Sequence, residues 1–549
     1  MQLLNFLEKE ATESYQQVLL IATISGLANS LLLGIINHAT EAVANNESLT
    51  EYFLLYLIAF TLFLYAQWYA FERAIFIVEK AIYGIRTRLT HKVQQVELAF
   101  MEKMGSNHLY GRLTQNDTLV SQAVPQIVGA FQMFTLMIFS FLYLGYISPI
   151  SFIITIAALG LGALYFMSQS RFVKKSLQNV RQKEETYFKS ISHLVNGFKE
   201  CKINHKKGQD LLERIADVSG EAQDIKATVR KQESRLWGFG RLFIYALLPI
   251  LVFILPNFSH EHVENIFKIS ATLLFLIGPT TIIVNMIPML SRVNMAIEDL
   301  STLEKEMDDA IAGSHDATVD DMTLTDFQEI KIENVSFSYP NGEAAFMAGP
   351  FNEHIVKGEL LFIIGGNGSG KSTFLKLLTG LYCRADGKLY TDSTLIEEHN
   401  YPAYRNLFSV IFTDFYLFDK FYGVSDLDPE KVNDWLKKMQ MQHKVRYQDG
   451  GFTSTNLSTG QRKRLAFIAA MLEDKPILVI DEFAADQDPQ FRKYFYETLL
   501  IELKDMGKTI IAVTHDDHYF HVADRVLKMD EGRFVEHDTQ NSKQHDVNE

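Results

Sequence analysis

The stretch Glu359–Gly380, ELLFIIGGNGSGKSTFLKLLTG, decides how the C-terminal half of this chain reads. An apolar strand runs into a glycine-rich loop, and the loop opens onto a helix. Gly365, four intervening residues, then Gly370, Lys371 and Ser372 match the phosphate-loop pattern in full. The glycines let backbone N–H groups close around phosphate oxygens. Gly366, Asn367, Gly368, Ser369, Gly370 and Thr373 are therefore the expected cradle for a nucleotide. Lys371 is expected to reach its β- and γ-phosphates, and the Ser372 hydroxyl to bind Mg2+.

Further along, PILVIDEFAADQDP (476–489) gives a second apolar strand that ends in acids. Four apolar residues in a row suit a central parallel strand covered on both faces. Asp481 at its carboxyl end is placed to hold the Mg2+ through water. Glu482 is placed to orient or deprotonate an attacking water. TIIAVTHDDHYF (509–520) is a third apolar strand ending at His515, which is either a γ-phosphate partner or a surface histidine. Tyr339, in IENVSFSYPNG (332–342), is either an adenine-stacking ring or an edge-strand tyrosine. LSTGQRKRLAFIAAML (457–472) reads as a polar turn opening onto a basic helix, a second helix start suited to phosphate. From Ile330 on, strands alternate with helix patterns, the mark of an α/β domain.

The N-terminal half is of another kind. Its uncharged runs are Val18–Ile36, Tyr52–Phe71, Thr118–Ser170, Leu242–Phe258 and Ile269–Leu290. Pro149 splits the third into two, so six helical spans are expected, each needing roughly 20 residues. Pro279 and Pro288 predict a kink in the last. The loop Asn37–Glu51 holds no Lys or Arg, whereas Glu72–Asp117 and Arg171–Arg241 are rich in both. Those basic loops are assigned to the cytoplasm, and with them both termini. Each long cytoplasmic loop has a break, GSNHLYGRLTQND (105–117) and NGFKECKINHKKGQ (196–209), that is either a short helix resting on the soluble domain or a solvated turn. Asn29, Gln67, Gln132 and Asn285 are polar at membrane depth and either line a cavity or hold helices together.

The whole chain has 549 residues, 47% hydrophobic and 21% charged, with a net charge of −14. That acidity argues against a nucleic-acid partner. Cys201 and Cys383 stand far apart, in no metal-ligand spacing, and read as free thiols.

The phosphate loop, LSTGQ, VIDE and VTH, in that order behind six spans, resemble a half-size ABC exporter. The implied fold is an α-helical transmembrane domain followed by an α/β phosphate-loop ATPase domain. The implied division is a transmembrane domain at 1–305, an acidic linker at 306–326, the ATPase domain at 327–540 and a tail at 541–549. The resemblance implies that Ser458, Thr459, Gly460 and Gln461 contact ATP held by a partner's phosphate loop, with Asp488 beside them. One phosphate loop and one signature per chain then imply a homodimer with two shared ATP sites. Two departures from the pattern stand out. Thr459 replaces one of the usual pair of glycines, and Thr413, in FSVIFTDFYLFD (408–419), replaces the usual Mg2+-sensing glutamine. LSTGQRKRLA, FTD and AADQDP resemble the cyclic-peptide exporter branch, which includes exporters of pyoverdine precursors, syringomycin and lasso-peptide microcins. The expectation is ATP-driven export of a small cyclic or modified peptide, siderophore- or microcin-like, through a multi-pass protein of the bacterial cytoplasmic membrane in contact with its lipid. An outer-membrane export partner is left open. The alternatives are a lipid or multidrug flippase and, more remotely, an ATP-gated channel or signalling receptor.

Overall fold

The computed structural model describes residues 2–10, 14–255, 265–313, 324–338, 347–424 and 427–535. Tyr339, residues 314–323 of the acidic linker and the tail at 541–549 lie outside the described residues. Contacts divide the chain into two units. One holds Met1–His91 and Ser106–Glu306, the other Lys92–Gly105 and Met307–Glu549.

The first unit is all helical. Its elements are α1 (Gln2–Glu10), α2 (Tyr15–Ala44) and α3 (Thr50–Gln95), whose end passes into the second unit. α4 (Leu98–Met104) belongs wholly to that second unit. Then come α5 (Ser106–Ile147), α6 (Pro149–Asn196), α7 (Phe198–Ile203), α8 (His205–Pro249) and α9 (Ile266–Gly313). A π-helical turn, Ile250–Ile254, extends α8. Among the described residues, four helices are long and apolar enough to cross a membrane: Tyr15–Val43, Thr50–Gln95, His108–Ile147 and Ile266–Ile311. Shorter apolar helices at Pro149–Tyr165 and Tyr245–Ile254 fall where the other two expected spans lie. α9 is assigned as one helix through Pro279 and Pro288.

Close packing fixes α2 against α5. A Cβ at Gly26 would stand 2.6 Å from the Gln132 carbonyl oxygen, so only glycine allows this approach. Gln132 itself is buried, and neither amide atom has a hydrogen-bond partner among the described residues. Tyr65, Trp68 and Tyr69 on α3 are instead exposed in the isolated chain. Arg88 ties three helices of this unit together. Its guanidinium donates to Glu10 at 2.7 and 2.8 Å and to Glu304 at 2.6 Å.

Among the described residues the second unit carries two larger sheets and a two-stranded hairpin, Tyr447–Gln448 with Gly451–Phe452. The strands of the two sheets, with the helices that matter here, are β1 (Glu329–Ser338), β2 (Met347–Val356), β3 (Leu360–Gly365), α10 (Lys371–Leu378), β4 (Asp386–Thr391), β5 (Thr394–Ile396) and β6 (Phe408–Ile411). They continue as α11 (Thr459–Leu472), β7 (Ile477–Asp481), α12 (Pro489–Tyr494), β8 (Thr509–Val513), β9 (Arg525–Asp530) and β10 (Arg533–Val535). A four-stranded antiparallel sheet has the order β2-β1-β4-β5, and a six-stranded sheet the order β10-β9-β3-β8-β7-β6. In the larger sheet β9, β3, β8, β7 and β6 are parallel. Its two faces explain the unbroken apolar runs. Leu360, Phe362, Leu478, Ile480 and Ile510 enter one core, and Leu361, Ile363, Ile477, Val479 and Ile511 the other. Each such side chain contributes roughly 1.5–3 kcal/mol of burial.

Candidate functional site

Ligands of open α/β sheets bind beyond the carboxyl ends of parallel strands. Here the ends of β3, β8, β7 and β6 stand side by side in one sheet. Each delivers one part of the predicted site: the phosphate loop after β3, His515 after β8, Asp481 and Glu482 at the end of β7, and Thr413 after β6.

The phosphate loop turns through left-handed backbone at Gly368 (φ 78°) and Gly370 (φ 106°), positions where a side chain would be strained. Gly366, Asn367 and Gly368 are exposed at its crest, whereas Ser369 and Thr373 are buried. Lys371 opens α10 and is 5% exposed; its amine donates to the carbonyls of Gly365 and Gly366, both at 2.9 Å. Burial lowers its pKa, against the opposing pull of Glu482 and Asp481.

Asp481 is 2% exposed. Burial pushes its carboxyl up, hydrogen bonds from Ser372 and Thr413 pull it down, and Glu482 pushes it up again; the net direction is upward. Ser372 Oγ donates to Asp481 Oδ2 at 3.0 Å. Asp481 Oδ1 is buried with no hydrogen-bond partner among the described residues. A paired hydroxyl and carboxylate with one orphaned oxygen form a hard oxygen donor set that fits Mg2+. Thr413 Oγ1 approaches the Asp481 carbonyl oxygen at 3.5 Å.

Glu482 holds a left-handed backbone conformation, φ 50°, uncommon for a residue with a side chain. Its N–H donates to the Val513 carbonyl at 3.1 Å, which ties it to the strand leading to His515. The His515 ring Nε2 and Glu482 Oε1 are 3.1 Å apart, so the pair predicted from separate motifs meets here.

The second predicted phosphate-facing turn begins α11. Ser458 caps the helix in a reciprocal box with Gln461. Ser458 and Thr459 are exposed. A Cβ on Gly460 would meet the Asp486 carbonyl oxygen at 2.4 Å. The Gly460 carbonyl accepts from Gln487 Nε2 at 3.1 Å. Asp488 caps α12 through the Phe491 N–H at 2.9 Å and accepts from Arg464 at 2.8 Å, so its carboxylate already serves two groups of its own chain.

Lys463, Arg464 and Gln487 form a polar seam that reading the sequence did not single out. Arg464 Nε donates to Gln487 at 2.8 Å. The Lys463 amine donates to the Glu482 carbonyl at 2.7 Å and pairs with the Asp486 carboxylate at 2.7 Å. A run such as QRKR at a helix start reads as a solvated basic face; burial of Lys463 to 3% exposure is visible only in three dimensions.

The model of the family described as ABC transporter matches residues 348–485. The model described as ABC transporter transmembrane region matches residues 17–198. The ATP-binding protein SyrD of Pseudomonas syringae pv. syringae is 32% identical over 545 residues, covering 94% of this chain and 93% of that protein. An ATP-dependent lipid A-core flippase of Pseudomonas aeruginosa is 22% identical over 548 residues, covering 92% and 87%.

Proposed function

We propose, from the premise that this chain belongs to the ABC exporter family and is an ATP-hydrolysing transporter, that its cargo is a compact cyclic or modified peptide. The cargo leaves the cytoplasm across the bacterial inner membrane, and both termini stay inside. The four long apolar helices, with Pro149–Tyr165 and Tyr245–Ile254, are read as six spans. The working form is a homodimer. α7 supports that reading, because its tip exposes Phe198 at 59% and Ile203 at 89% in the isolated chain.

Within the ATPase cycle the residues divide the work. The loop at Gly366–Ser369 and Lys371 bind the phosphates, and the hydroxyl of Ser372 with the carboxylate of Asp481 would hold Mg2+. When bound, the ion neutralises charge developing on the phosphate oxygens. Glu482 orients the attacking water and accepts its proton, with His515 beside it to bond the γ-phosphate. Ser458, Thr459, Gly460 and Gln461 of one subunit serve the nucleotide of the other. Closure of the ATP-bound pair turns the membrane cavity outward, and hydrolysis resets it.

One observation carries the cargo assignment: the signature stretch LSTGQRKRLA (457–466), which resembles the peptide exporter branch. The second reading, a lipid flippase, is favoured by relatives of that name that run nearly the length of this chain. In nanodiscs a cyclic peptide or peptide siderophore is expected to stimulate ATPase activity, and linear polar peptides are not. Stimulation by lipid alone across the same panel would favour the flippase. Glu482→Gln is expected to keep ATP binding and lose nearly all turnover; near-normal turnover would remove Glu482 from its role.

A further inference from the structure

Lys463 lies in the second turn of α11, the helix whose start carries the signature turn. It is 3% exposed, whereas Lys437 and Lys493 of the same unit pair at the surface. An ammonium buried this far is costly unless it is paired and hydrogen-bonded. Its two partners both belong to the segment that follows β7: the Glu482 carbonyl at 2.7 Å and the Asp486 carboxylate at 2.7 Å. The first is the peptide of the residue read above as the hydrolytic base, and that residue holds a left-handed backbone at φ 50°. Such a conformation persists only where its surroundings over-determine it. Two backbone bonds do so here: Glu482 N–H to Val513 on one side and Lys463 to the Glu482 carbonyl on the other. The remaining links along the seam run the same way, from Gln487 to Gly460 and from Arg464 to Gln487 and Asp488.

We infer that Lys463 is a positioning residue for hydrolysis, fixing the Glu482 peptide to the signature helix of the same chain. This rests on the reading of Glu482 given above. The consequence is directional. The signature turn serves the nucleotide of one composite site, and Glu482 serves the other. A shift of α11 on meeting the partner's ATP therefore moves the Glu482 backbone through one buried amine.

The test uses the full-length protein in nanodiscs. Lys463→Met keeps the stem and removes both bonds of the amine. Expected is a fall in ATPase kcat on the order of 10- to 100-fold, as for a misplaced reacting group, with the KM for ATP within about twofold. Lys463→Arg, which keeps the charge and the donors, should recover most of the loss. Glu482→Gln runs in parallel. If that variant is inactive while Lys463→Met turns over normally, the inference fails and the reading of Glu482 stands. If Glu482→Gln turns over normally, the reading itself fails. A joint loss of nucleotide binding and kcat, unrecovered by Lys463→Arg, would make Lys463 a packing residue and overturn the inference. Should Lys463→Met not fold, Asp486→Asn decides: it loosens the amine at a half-exposed carboxylate, and an unchanged kcat there overturns it.

Discussion

Two short helices, α4 and α7, interrupt the long helical loops at corresponding places and meet opposite fates. α4 belongs to the ATPase unit and packs against it, half-buried, with none of its residues fully buried. Leu98 and Ala99 pack against the core formed by Phe337, Leu377 and Tyr382. Glu102 accepts from Lys376 and from the Tyr382 hydroxyl, both at 2.7 Å, and the Cys383 thiol meets Glu97 at 3.1 Å. α7 shows no buried residue, and Phe198 and Ile203 remain exposed. Apolar side chains at an exposed tip are what a second copy would cover in the homodimer proposed above.

The largest expected effect breaks the comparison at α7. Phe198→Asp with Ile203→Asp puts charge where an apolar contact is proposed. Loss of two anchors should lower cargo-stimulated ATPase activity by roughly tenfold or more. Unchanged stimulation would make α7 a solvated turn after all.

A smaller effect is expected at α4. Glu102→Ala removes two hydrogen bonds from a partly exposed carboxylate, worth about 1 kcal/mol after screening. Amide exchange across Leu98–Met104 should quicken by about fivefold while the strands of the larger sheet keep their protection.

Acid should act on the same helix. Burial raises the Glu102 pKa, but hydrogen bonds from Lys376 and Tyr382 outweigh it, and the net direction is downward. The ionised form is therefore the one the folded state favours. Its contribution is present above the ordinary carboxylate range and is lost as pH falls through the lowered value. Exchange of α4 should rise over that window, and Glu102→Gln should flatten the rise. The smallest effect belongs to Tyr382→Phe. The ring stays stacked on Phe337, 4.4 Å between centroids, and only the hydroxyl bond goes, so a loss of about 0.5–1 kcal/mol is expected in a melting experiment.

What could be read in advance was whatever local spacing fixes. The phosphate loop, the helix start at LSTGQ and the acid-ended strand at Asp481 each depend on neighbours in sequence, and each is found as an element boundary. The meeting of Glu482 with His515 was not read in advance; it comes from β8 lying beside β7 in the sheet. The short helix of the first long loop precedes the break that begins at Gly105, because α4 is set by its packing and the glycine only ends it with φ 77°. Gln132 was read as lining a cavity or holding helices together; it is buried where α2 approaches at Gly26, a long-range fact that spacing alone does not give. Lys463 escaped for the same reason: nothing in QRKR distinguishes a solvated lysine from one that reaches across to another strand's end.

The contact at Gly460 bears on how related ATPases are found from sequence. Signature patterns are usually written around a pair of glycines, as if both were equally required. In this molecule the two positions differ in kind. Position 459 is exposed at the helix start and carries a threonine, so a branched side chain is accommodated there. Position 460 has the Asp486 carbonyl where a Cβ would go. A library randomised at both would return many residues at the first and glycine alone at the second, and a search weighted that way would recover chains that a doubled-glycine filter discards.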